Sequence, residues 1–326
     1  MTDTLLEIED LHVDFQVDRA IVRAVDGLSL SVAAGERVGI VGESGSGKSA
    51  TALSVMRLIE KPGTVRAKVM RFHGTDLLTL SRRQLDDVRG AGIAMVFQDP
   101  LTALDPVFTV GQQIVEVIHR HQPDVTKTEA RSRAKRLLVE VGLPDPDRCL
   151  RSYAHQLSGG IRQRSMIASA LAADPLLLIA DEPTTALDVT VQAQIIDLLA
   201  RLADERGMAV ILITHDLGVL AGFTQRVVVM YAGRAVEVAD VQSLFRNPRH
   251  PYTVALLGSV TRLDRPLERD LPAIPGAPPN LARLPPGCPF APRCAYAQDD
   301  CRVDRPELRP VGRSVVACHH PMGDGS

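Results

Sequence analysis

The sequence predicts an α/β fold with a parallel sheet at its centre, and three observations carry that reading. A glycine-rich loop, Gly42-Glu43-Ser44-Gly45-Ser46-Gly47-Lys48-Ser49, with spacing G-x4-G-K-S, sits between an apolar run and a helical stretch. Two further apolar runs, Leu176 to Asp181 and Met208 to Thr214, each end at a polar residue, as strands buried on both faces do. A third texture, alternation of apolar and polar residues over Leu5 to Phe15 and Ala24 to Val32, marks half-buried antiparallel strands at the N-terminal end.

The glycine-rich loop has the context its chemistry requires. Val38 to Val41 reads as a buried strand, and Ser49 to Glu60 as a helix. The glycines let backbone N–H groups line a cradle, and the helix aims its positive N-terminus at the same point, so the loop suits a polyphosphate. Lys48 would reach the outer phosphates and Ser49 would hold Mg²⁺ through its hydroxyl.

Along the chain, Ser81 caps a short helix ending at Val88, and Gly92 to Phe97 is a strand with Gln98 at its end. Asp99 to Pro106 reads as a loop punctuated by two prolines. Residues 100–170 read as a helical insertion, with Ala130, Ala134, Leu137, Leu138 and Val141 at helical spacing. Val191 to Arg206 is a helix. Asp181 ends one buried strand, where a carboxylate can hold Mg²⁺ beside Ser49, and Glu182 follows it, placed to polarise a water. His215 stands at the end of the next strand; such ends converge on the ligand crevice of a parallel sheet. Val227 to Met230 and Ala235 to Val238 flank a hairpin turn. In Leu157-Ser158-Gly159-Gly160-Ile161-Arg162-Gln163, a Ser-Gly-Gly turn opens a helix and forms a second anion site. Two such sites serve one γ-phosphate most simply when two chains face head to tail.

These motifs, in this order over residues 1–255, resemble the nucleotide-binding subunit of ABC transporters. The resemblance implies a P-loop NTPase of the ABC ATPase type: a RecA-like parallel-sheet core, an antiparallel β subdomain and a helical subdomain. It further implies ATP and Mg²⁺ as ligands. Gly42, Ser44, Gly45, Gly47, Lys48, Ser49 and Ala50 would form the phosphate loop, with Ser49, Gln98 and Asp181 around Mg²⁺. Glu182, Gln98 and His215 would be catalytic, Ser158, Gly159 and Gly160 the signature turn, Asp188 of Ala186-Leu187-Asp188 the D-loop, and Phe15 the adenine-stacking aromatic. Phe97-Gln98-Asp99-Pro100, Leu104-Asp105-Pro106 and Asn247 to Thr253 are similar to the dipeptide/oligopeptide importer group. Membership there implies two membrane permeases, a second homologous ATPase and an extracytoplasmic solute-binding protein as partners. Nickel and some glycoside importers share this architecture, so another small solute stays open, and a non-transport ABC ATPase is the more distant alternative.

Composition bounds the rest. The chain has 326 residues, 45% of them apolar, and a net charge of −2, which gives no polyelectrolyte signal for nucleic acid. The first residues lack the basic patch and apolar core of a secretory leader, and no apolar run approaches a membrane span. The expectation is a peripheral protein on the cytoplasmic face of the membrane, held there by partners. The cassette is expected over 1–257 and a C-terminal cysteine-containing tail or small module of the oligopeptide/dipeptide-transporter type over 258–326. In that module Cys288, Cys294, Cys301 and Cys318 have spacing C-x5-C-x6-C-x16-C. Zinc ribbons usually pair cysteines two to four residues apart, and a cytosolic setting disfavours disulfides. A [4Fe–4S] cluster, a Zn²⁺ site and unligated thiols all remain as readings; some of the related importers carry such a cluster. Being far in sequence from the phosphate loop, the module is expected to be structural. Cys149 reads as a small buried residue.

Overall fold

The computed structural model describes residues 4–18, 20–185, 187–259 and 274–323. In chain order the elements begin with β1 (Thr4–Val17), β2 (Ala20–Ala33), β3 (Arg37–Val41), α1 (Lys48–Val55), β4 (Gly63–Arg66), β5 (Val69–Phe72) and β6 (Thr75–Asp76). Then come α2 (Arg82–Val88), β7 (Ile93–Val96), α3 (Pro100–Ala103), α4 (Val110–His121), α5 (Lys127–Glu140), α6 (Pro146–Arg151), α7 (Gly159–Ala170) and β8 (Leu177–Asp181). The chain continues through α8 (Val189–Arg206), β9 (Ala209–Thr214), α9 (Leu217–Phe223), β10 (Arg226–Tyr231), β11 (Arg234–Asp240), α10 (Val241–Arg246) and α11 (Pro251–Gly258). It closes with α12 (Asp300–Val303), β12 (Arg309–Val311) and β13 (Ser314–Val316). Two compact units result: one of Met1–Leu5, Ala33–Glu36 and Leu77–Leu212, the other of Leu6–Val32, Arg37–Asp76 and Ile213–Ser326.

In the first unit, β7 and β8 pair in parallel, Ile93 opposite Leu177 through Val96 opposite Ala180. Every residue of both strands is buried, which is why they read as unbroken apolar runs. The helices α4 to α7 start at strong local signals. Thr109 caps α4 in a reciprocal capping box with Gln112, Thr126 caps α5, and Asp145 caps α6 with Pro146 in its first turn. Their apolar stripes bury Ile114, Ile118, Ala130, Ala134, Leu137 and Leu138. Arg206 at the end of α8 grips both oxygens of Glu140 at 2.7 and 2.8 Å, tying α8 to the end of α5.

In the second unit, β1 carries an antiparallel sheet. It pairs with β4, Phe15 opposite Gly63, and with β5, Leu6 opposite Phe72. Leu6, Ile8, Leu11 and Val13 are buried, in line with the alternation in the sequence. Separately, β3 runs parallel to β10, and β10 turns through Ala232-Gly233 into antiparallel β11.

Three expectations change. The helix after the glycine-rich loop ends at Val55, not Glu60, because Arg57 adopts a positive φ of 49°. The proline-bearing stretch 99–106 contains a helix, α3: the Asp99 carboxylate caps it at Leu101 N–H (2.9 Å), and Pro100 occupies the first helical position, where it lacks no needed donor. The C-terminal segment, expected to have few apolar runs, nonetheless adds two short strands to the sheet. Its β13 pairs with β11, Glu237 opposite Val316, and β12 pairs with β13. Residues 260–273, with part of the proline cluster, lie outside the described residues, as does Ala186.

Candidate nucleotide site and cysteine pocket

The glycine-rich loop leaves β3 and enters α1 at Gly47, which caps the helix at φ 102°. A side chain there would meet the Ala24 carbonyl at 2.3 Å, and one at Gly42 would meet the Met230 carbonyl at 2.2 Å. The loop is thus pressed against its own unit on one side, while Ser44 and Gly45 face outward. Lys48 is buried and folds back, its Nζ donating to the carbonyls of Gly42 (2.9 Å) and Glu43 (3.0 Å). The buried Ser46 hydroxyl makes no hydrogen bond. A cradle that crowds against carbon and carbonyl neighbours behind, exposes backbone in front and carries a buried ammonium fits a polyphosphate. Ser49 and Ala50 lie in the first turn of α1, half-buried. Phe15 is half-buried at the end of β1, its ring over Gly63.

In the first unit, Asp181 is buried at the end of β8. Glu182 follows with a positive φ of 45°. One of its oxygens, Oε2, accepts from Gln98 Nε2 at 3.0 Å and from Thr185 Oγ1 at 2.9 Å. The sequence places Gln98 and Glu182 at separate strand ends. The parallel pairing of β7 and β8 brings them together, and Thr185 is a further member that sequence reasoning missed. Two donors on one oxygen fix the carboxylate's orientation, as a general base requires.

The Ser158-Gly159-Gly160 turn opens α7 without using its hydroxyl as a cap. Ser158 caps α7 in an extended conformation, yet its side chain makes no bond to its own helix. Arg162 instead secures the approach, donating to the carbonyls of Ala154 (3.0 Å) and Leu157 (2.9 Å). Ser158 and Gly159 are exposed. A side chain at Gly160 would press on Val191 at 3.2 Å, and one at Gly159 would touch Leu187 at 3.5 Å, so small residues let the D-loop stretch lie against the turn. Asp188 is itself occupied as the cap of α8, accepting from Val191 N–H at 2.9 Å. In the second unit, His215 is exposed between β9 and α9, beside Asp216, which caps α9 at Gly218 N–H (2.8 Å).

The cysteines form the second feature. Cys288, Cys294, Cys301 and Cys318 line one cavity together with His250 and Phe290. No cysteine among the described residues forms a disulfide, and Cys149 is buried elsewhere, on α6. Burial, and then the neighbouring cysteines, pushes the thiols of Cys288 and Cys318 upward, Cys318 to about 12; burial likewise raises Cys294. They are neutral thiols until a cation compensates them. Among the described residues, Asp300, Cys301 and His320 are the one group of three or more possible ligands with donor atoms all within 4.8 Å. His320 Nε2 there already lies 2.9 Å from both Asp300 oxygens.

The comparisons with known proteins agree with this geometry. A family model for the ABC transporter matches residues 25–185, and one for the oligopeptide/dipeptide transporter C-terminal region matches residues 236–301. The dipeptide transport ATP-binding protein DppD of Escherichia coli is 50% identical over 322 residues, covering 98% of each chain. This chain belongs to the ABC transporter ATP-binding proteins, in the oligopeptide/dipeptide group. The oligopeptide transport ATP-binding protein OppD of Mycobacterium tuberculosis is 56% identical over 307 residues, which is 94% of this chain and 50% of OppD, so the chain spans half the length of that relative. Among solved structures, the dimeric ATP-binding cassette MJ0796 superposes with a TM-score of 0.65 at 28% identity, covering 72% of this chain and 98% of that one. The same cassette, as a dimer with ADP and phosphate after hydrolysis, gives a TM-score of 0.64. The ABC ATPase fold expected from the motifs is therefore the fold present. None of the helices in the described residues is long and apolar enough to cross a membrane.

Proposed function

We propose that this chain is the ATP-hydrolysing subunit of an importer that carries dipeptides or oligopeptides across the cytoplasmic membrane. The observation that carries the reading is Glu182 held at the end of β8 by Gln98 and Thr185, in a chain whose full-length relative DppD is a dipeptide transport ATP-binding protein. Glu182 acts as the base toward water, and Lys48 and the loop backbone hold the phosphates. Ser49, Asp181 and Gln98 would hold Mg²⁺, which supplies charge neutralisation at the transferring phosphate. Ser158, Gly159 and Gly160 serve the ATP of a second, homologous subunit facing head to tail, a role that suits an exposed hydroxyl unused by its own helix. His215 and Asp188 belong to the same machinery, and Phe15 stacks on adenine. Two permeases are the membrane partners, and a solute-binding protein delivers the peptide outside. The exposed Leu101, Val107 and Phe108, just after Gln98, offer the permeases an apolar docking surface on the cytoplasmic face.

The cysteine pocket is read as a [4Fe–4S] site. Four thiols share one cavity, those of Cys301 and Cys318 buried and those of Cys288 and Cys294 half-buried, and the buried His250 Nε2, also in its wall, has no hydrogen-bond partner. Protein purified without oxygen is expected to be brown, with about four irons per chain; Cys294→Ser removes the colour. Stoichiometric zinc without iron in such protein contradicts the cluster.

A further inference from the structure

The C-terminal segment reaches the phosphate loop itself. Arg293 Nη1 and Nη2 donate to the two oxygens of Glu43, at 2.7 and 2.9 Å. Glu43 is the second residue of the loop, between Gly42 and Ser44, and Arg293 stands 250 positions later, directly before Cys294. The pair is shielded, the Arg293 side chain being 6% exposed and that of Glu43 23%. Arg293 is fixed from three further directions: its Nε donates to the Pro275 carbonyl (2.8 Å), its Nη1 to Tyr231 Oη (3.3 Å), and its guanidinium lies over the Tyr231 ring at 5.9 Å. Glu43 is held through its backbone too, its N–H donating to Tyr252 Oη at 2.8 Å. Phe290 packs edge-on against both tyrosines, at ring-centroid distances of 5.3 and 5.4 Å. The turn Ala291–Arg293 is closed by Ala291 N–H on the Cys288 carbonyl (3.0 Å) and Cys294 N–H on the Ala291 carbonyl (3.3 Å).

We propose that Arg293 is a positioning residue of the nucleotide site: it neutralises Glu43 and fixes its place in the phosphate loop, which couples ATP binding to the state of the four-cysteine pocket. The reason is electrostatic. A carboxylate within a loop that binds polyphosphate repels its ligand unless a cation faces it. Bidentate guanidinium pairing supplies both the cation and a fixed direction. Because Arg293 is built into the turn between Cys288 and Cys294, whatever orders those cysteines orders the clamp.

The inference rests on the phosphate loop binding ATP, and the test separates the two. ATP affinity of the purified full chain, carrying whatever its cysteines bind, is measured with a fluorescent ATP analogue, alongside melting without nucleotide. Wild type that fails to bind ATP defeats the functional reading, not the clamp. Given wild-type binding, Arg293→Gln is expected to weaken ATP by about tenfold or more, tenfold being what one unpaired charge about 12 Å from the phosphates gives at an effective dielectric of about 20. Arg293→Lys keeps most of the affinity, and adding Glu43→Gln to Arg293→Gln restores it. A merely structural role moves melting but gives no rescue by removing the carboxylate. If Arg293→Gln does not fold, Glu43→Gln is compared with Glu43→Gln/Arg293→Gln, where no carboxylate is left to neutralise and equal affinities are expected. Unchanged affinity in Arg293→Gln, a double variant as weak as the single, or a tenfold gap within the Glu43→Gln background overturns the proposal. Cys294→Ser is expected to weaken ATP in the same direction as Arg293→Gln, and full affinity in that variant overturns the coupling to the cysteines.

Discussion

Glu182 owes its orientation to two donors on one oxygen, and that makes its replacement informative. Glu182→Gln keeps the shape and removes the charge and the base. ATP is expected to bind as before, while hydrolysis by the assembled complex falls by about 10²–10⁴-fold. Near-normal turnover would show that another group activates water. The position of Glu182 at a strand end was legible in the sequence because two adjacent acids closing a buried apolar run mark such an end. Its bond to Gln98 was not, since 84 positions separate the two and only the β7–β8 pairing joins them. Arg293 was less legible still. A lone arginine in a proline- and cysteine-rich stretch has no periodicity to betray a partner, and its role follows from tertiary packing alone.

At the scale of elements, the start of α7 is the part proposed to serve another chain. Its cap residue, Ser158, spends no side-chain bond on its own helix, whereas Asp188 caps α8 and Asp216 caps α9. Ser158→Arg places bulk and a guanidinium at that surface. Nucleotide affinity of the isolated subunit is expected to stay within about twofold, since the phosphate loop is untouched, while hydrolysis in the complex drops by an order of magnitude or more. Loss of ATP binding in the isolated subunit would place Ser158 at its own chain's nucleotide. The join of α8 to α5 gives a stability prediction in the same unit. Arg206→Ala leaves the half-buried Glu140 without its bidentate partner and is expected to cost about 1–2 kcal/mol in urea unfolding; no measurable change would mean that water replaces the guanidinium freely. The runs that became β7, β8 and β9 and the cap of α2 were legible because burial and capping leave local signatures. The strands β12 and β13 were not: three residues each, they form because β11 offers an edge, which no local pattern records.

The whole chain combines a cassette whose motifs announce ATP with a C-terminal segment whose role depends on where it docks. The proposed contact with membrane partners would use exposed apolar residues such as Leu101, Val107 and Phe108. The central claim is that ATP hydrolysis on this chain drives peptide import. It is tested most directly by ATP-dependent uptake of labelled di- and oligopeptides into proteoliposomes. These are prepared from the complex that the tagged chain retrieves from solubilised membranes, with peptide-loaded binding protein on the opposite side from ATP. The account predicts retrieval of two polytopic proteins and a homologous ATPase, and uptake that requires ATP and is lost with Glu182→Gln. Retrieval without polytopic partners, or uptake that proceeds unchanged without ATP or with Glu182→Gln, would contradict it.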